Sequence, residues 1–271
     1  MYSRYEHEVK KYRKKDAIIA LCVYLFAVVL VTVWWFIALA INAGEMQLHP
    51  IILQFALPVI VITTVLTIIY VKKQGLASIG FHKDKMQRQL GVAILFVVIL
   101  LSFGVVPGLI YGWSFNNLGI TILYFFAVLI GVAYEDILFV GYLQPRLYAI
   151  FKKDIPAILV GASLFALIHI PVAILGDTIG EGLTSNLIYW LIGHTTLVLI
   201  FRLYFSILPV IIVHTLTNFF LFGFLWGEFN EQYNTEWAIT AIPLILLILI
   251  ILEIIRMRRK KLRRKQITEN E

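Results

Sequence analysis

GITILYFFAVLIGVAYEDILFVGYL, residues 119–143, runs sixteen positions without a charge and then sets Glu135 and Asp136 side by side. About 20 apolar residues cross the hydrocarbon of a bilayer as a helix, so the stretch is long enough to span. It reads as a membrane helix that carries two adjacent carboxylates. An acid at that depth costs at least about 2.5 kcal/mol, so such groups generally face a cavity and do chemistry there.

The surrounding sequence repeats the apolar pattern. Of 271 residues, 61% are hydrophobic and 14% are charged, against about 25% charged in a soluble domain. Mean hydropathy is +0.89. The pattern predicts an all-α polytopic bundle with eight spans, near 17–42, 51–71, 91–112, 119–145, 155–175, 184–203, 207–226 and 237–255. The first run exceeds the apolar length of a signal peptide and lacks a small-residue cleavage site, so it reads as a retained span.

Charge sorts the connections between these spans. The N-terminal arm, the loop at 72–89, QPRLYAIFKKD, FRLYF and the C-terminal tail hold all 23 Lys and Arg, and the alternate connections hold none but carry six acids. The positive-inside rule then places both termini in the cytoplasm. The net charge of +7 belongs to these membrane-edge clusters and to RMRRKKLRRK, which suit anionic lipid rather than nucleic acid. Short loops and the lack of a targeting segment suggest the plasma membrane of a bacterium. The single cysteine, Cys22, permits no internal disulfide and reads as an apolar filler.

Five ionisable groups besides tyrosines lie well inside spans: Glu135, Asp136, His169, His194 and His214. At about 1.5 Å of rise per residue, Glu135, His169, His214 and Asn218 reach similar depths on three different helices. His214 and Asn218 are four apart and share a face. A carboxylate and an imidazole can hold a water and take its proton. A second imidazole and a carboxamide can donate to a developing oxyanion. That set suits hydrolysis of an amide. Glu135, His169 and His214 are also the donor types of a zinc site with water in the fourth place, which makes zinc the one candidate cofactor. Buried His and acids can equally pair as glue between helices, and His194 reads first as such a packing residue.

The motifs EDILFVG (135–141), FALIH (165–169) and HTLTN (214–218) resemble those of the CPBP family, which comprises CAAX prenyl endoproteases and bacteriocin-processing or immunity (Abi) proteins. The family pattern is EExxxR, then FxxxH, then HxxxN or HxxxD. The resemblance divides the chain into 1–118 with three spans and the basic arm and loop, 119–226 with four helices expected to carry the site, and 227–271 with the last span and basic tail. It implies an intramembrane endopeptidase of a membrane-associated or lipidated peptide. Glu135 and His169 would activate water, and His214 and Asn218 would support the oxyanion. Asp136, Phe139 and Phe165 match supporting positions. Asp136 stands for the second Glu, and Val140 stands where the motif has Arg. The lost guanidinium opens an alternative, a proteolytically inactive immunity or partner-binding member.

Overall fold

The computed structural model of the chain describes residues 2–42, 49–82, 118–175 and 181–221, with single positions between 87 and 98 and between 245 and 262. Every described element is helical. In order they are α1 (Tyr2–Val9), α2 (Lys14–Asn42), α3 (His49–Val71), a 3₁₀ turn at Leu76–Ile79, and α4 (Leu118–Glu135). A π-helical turn at Asp136–Leu143 follows, then α5 (Gln144–Phe151), α6 (Asp154–Leu175), α7 (Glu181–Tyr204) and α8 (Ile207–Leu221).

Four described helices are long and apolar enough to cross a membrane: Lys14–Trp34, Phe125–Phe151, Asp154–Pro171 and Asn186–Tyr204. Ala56–Val71 and Ile207–Phe219 are shorter apolar helices. These match six of the eight expected spans and fit an integral membrane protein. The expected spans at 91–112 and 237–255 lie mostly outside the described residues.

The faces of α2 show how the sequence sorts itself. Ile18, Leu25, Val29, Val33 and Phe36 are exposed and form one helical stripe, while Ala17, Ala20, Tyr24, Ala27 and Val31 are buried on the opposite side. Lipid is as apolar as leucine, so the outward stripe gains nothing by burial. Small residues inward let backbones approach, and close contact supplies the attraction.

The π turn lies at the centre of the described bundle. It packs against α2, α3, the 3₁₀ turn, α6, α7 and α8 as well as its own flanking helices, and all eight of its residues are buried. Gly141 explains the tightness on one side. A Cβ there would stand 2.9 Å from the carbonyl oxygen of Ile79. Ile79 is fully buried and rides on the 3₁₀ turn, which ends at Gly80 with φ +86°. The Gly80 carbonyl accepts the N–H of Ile207 at 3.1 Å, which ties this loop to the start of α8.

The arm ahead of α2 closes the same end. Tyr5 and Val9 of α1 are buried, as is Tyr12. Arg146 is fully buried, with its guanidinium 3.9 Å from the Tyr142 ring centroid and 4.5 Å from that of Tyr12. It donates to the Tyr142 carbonyl at 2.7 Å and to the Gln74 side chain. Tyr12 donates its hydroxyl toward Glu8 at 3.0 Å and the Ser78 carbonyl at 3.1 Å. Burial is the main cause that holds the Tyr12 phenol above its ordinary pKa, with Glu8 adding and Arg146 opposing. It therefore stays a donor. Arg202 pairs with Asp154 at 2.7 Å, joining the end of α7 to the start of α6.

Candidate active site

Helix α4 ends on Glu135, and the π turn begins at Asp136. Because the two acids are consecutive, they leave the rod in different directions. Glu135 faces α6, where its Oε1 lies 3.9 Å from His169 Nε2. Asp136 faces α8, where its Oδ1 lies 3.1 Å from His214 Nδ1. One carboxylate thus serves each histidine.

His169 has a defined tautomer. Its Nδ1 lies 2.8 Å from the carbonyl oxygen of Phe165, one turn back on α6. A carbonyl only accepts, so Nδ1 carries the hydrogen and Nε2 turns its lone pair toward Glu135. The indole of Trp190 on α7 stacks on the other side, 4.7 Å between centroids at 26°. At 3.9 Å the Nε2–Oε1 gap is too long for a direct hydrogen bond.

These groups share a cavity of about 250 Å³ whose wall includes Glu135, His169, His194, His214, Asn218 and Phe165. The four side chains expected to do chemistry therefore border one space. Asp136 and Phe139 are not part of its wall; both are buried behind it. Phe139 packs edge-on to Phe165 at 5.1 Å. Phe165 is the common neighbour of three imidazoles, at 4.7 Å from His169, 4.7 Å from His194 and 6.5 Å from His214.

Two features differ from the sequence reading, the partner of Asp136 and the setting of His194, while Arg146 stands apart from both acids as its distance along the helix requires. Asp136 has a partner in His214, although the motif Arg is absent and Val140 is a fully buried apolar residue. Arg146 binds Tyr142, Gln74 and two tyrosine faces, away from both acids. His194 lines the cavity rather than a remote helix contact. The wall also takes Tyr189, Trp190, Thr196 and Thr217, which no motif marked. Their signal in the sequence is spacing alone: Trp190, His194 and Leu197 recur at three to four residues on α7. Among the described residues no group of three His, Cys, Asp or Glu is arranged to hold a metal ion. Asp136 engages Nδ1 of His214 and leaves its Nε2 uncommitted.

Residues 117–220 match the family model described as type II CAAX prenyl endopeptidase Rce1-like. The match begins one residue before α4 and ends one before the end of α8, so it contains Glu135, His169, His194, His214 and Asn218. No curated protein and no solved structure matches the chain.

Proposed function

We propose that this chain is an intramembrane endopeptidase that cuts a peptide bond near the C-terminus of a prenylated or otherwise membrane-held peptide. The observation that carries the reading is the placing of Glu135 and the free Nε2 of His169 3.9 Å apart on the wall of one cavity that also holds His214 and Asn218. A water bonded to both Glu135 and His169 is activated when its proton passes to Glu135. Its oxygen attacks the scissile carbonyl carbon. The oxyanion so formed accepts hydrogen bonds from His214 Nε2–H and the Asn218 amide. When the intermediate collapses, the C–N bond breaks and Glu135 returns the proton to the leaving amine. The resemblance of the 117–220 segment to prenyl endopeptidases supports a lipidated substrate, and the surrounding lipid would hold its prenyl chain.

The test is release of peptide in membranes by wild type against Glu135→Ala and His169→Ala. Loss of the base is expected to slow cleavage by about 10²- to 10⁴-fold with expression and melting unchanged. Cleavage that survives in both variants sinks the assignment. A second reading rests on Val140, buried where the motif has Arg: a non-catalytic member that binds a partner or confers immunity. In that case both variants keep the biological effect of the wild type.

A further inference from the structure

His194 is a buried polar residue on the wall of this cavity that takes no part in the proposed cleavage. Its side chain is wholly buried on α7, at the wall shared with Glu135, His169 and His214. Its ring lies flat on Phe165, 4.7 Å between centroids at 17°, and meets Phe139 edge-on at 6.1 Å. Among the described residues neither ring nitrogen has a hydrogen-bond partner, and both are closed off from bulk solvent. The threonines beside it do not serve it: Thr195 and Thr196 donate to the Leu191 and Ile192 carbonyls one turn back. A buried polar group left unmatched is a standing cost, so a sequence free to choose would place Phe or Leu here. Phe165 and Phe139 meet the ring, and the cavity that His194 lines is the open space beside it, into which a small turn of the ring would bring a nitrogen.

A neutral imidazole offers one N–H donor and one lone pair. A peptide unit offers one acceptor and one donor. We propose that His194 is a substrate-binding residue whose imidazole receives a backbone peptide group of the bound substrate beside the bond to be cut. The proposal rests on the endopeptidase reading for the identity of the ligand, but it is separable from the catalytic role of Glu135.

The experiment measures binding without turnover. A fluorescent farnesylated tetrapeptide amide is titrated against the full chain in nanodiscs, in a Glu135→Gln background, with His194 intact or changed to Phe, Leu or Gln. His194→Phe keeps the ring stack and removes both polar nitrogens. Its melting temperature is expected to hold or rise while Kd for the peptide rises about ten-fold, the loss of one to two hydrogen bonds. His194→Gln, which restores a donor and an acceptor, is expected to recover most of that affinity. Unchanged Kd in His194→Phe or His194→Leu overturns the proposal. So does failure of both to fold, which would mark the imidazole as a packing element, and so does a wild-type ring that binds no peptide. If Glu135→Ala still cleaves but His194→Phe binds poorly, the catalytic assignment falls and the binding role stands.

Discussion

Asp136 and His214 form a pair whose proton count decides what His214 offers the cavity. With one proton fewer, Asp136 is a carboxylate, Nδ1 carries the only imidazole hydrogen, and Nε2 is a lone pair. With net charge zero, either Asp136 is protonated and donates to Nδ1 or both nitrogens of an imidazolium carry hydrogen. In both arrangements Nε2–H points outward as a donor. An interior that penalises net charge favours the zero-charge pair, which is the form the oxyanion needs. Asp136→Asn can still donate to Nδ1 and is expected to stay within about ten-fold of wild type in kcat. Asp136→Ala removes the bond and is expected to lose about 10- to 100-fold, the worth of a charge-assisted hydrogen bond. Equal losses in the two variants would show that this bond does not orient His214. Counting depth brings His214 level with both acids, but which of two consecutive acids it meets depends on helix rotation, which the length of an apolar run does not fix. A search for a cation one turn away finds only Val140, whereas the common depth of Glu135 and His169 could be counted from span ends.

Helices sustain the site through two close approaches at its base. Gly141 lets the π turn rest against the Ile79 carbonyl. Gly141→Ala forces one of them to shift and is expected to cost about 1–3 kcal/mol, read as a lower melting temperature in detergent. Tyr12→Phe keeps the ring beneath Arg146 but removes the hydroxyl bonds to Glu8 and Ser78. A loss of about 1 kcal/mol is expected, and a full-sized effect only for Tyr12→Ala, which removes the ring as well. That helices exist here was plain from the apolar runs, and their rough limits followed from length. The π turn was not: DILFVGYL has no proline and no polar residue after Asp136 to mark a change of pitch. Backbone pitch in such a run is decided by the neighbours it must fit, and these come from six other segments.

At the scale of the molecule, the separation of charge predicts an orientation. All 23 Lys and Arg fall on one set of connections, and both termini are proposed to lie there. In a Cys22→Ser background, single cysteines at Lys10 and Gln266 should react with a membrane-impermeant maleimide only after the cytoplasmic face is opened. Cysteines at Gln47 and Asn234 should react in sealed cells. The reverse labelling, or a split between the termini, would overturn the eight-span count. Two described positions fall within the last expected span: Ile245 and Leu249 are buried, and Ile245 lines the cavity. The π turn has its own consequence at this scale. It lies in one unbroken rod from Leu118 to Phe151, between Glu135 on one side and Arg146 on the other. Removing a single residue from 137–143 would shift by one position which side chains of the turn meet each of the six segments packed on it. Glu135 and Arg146 could not then both keep their settings, so a one-codon deletion should harm this protein more than nearly any substitution within the same turn.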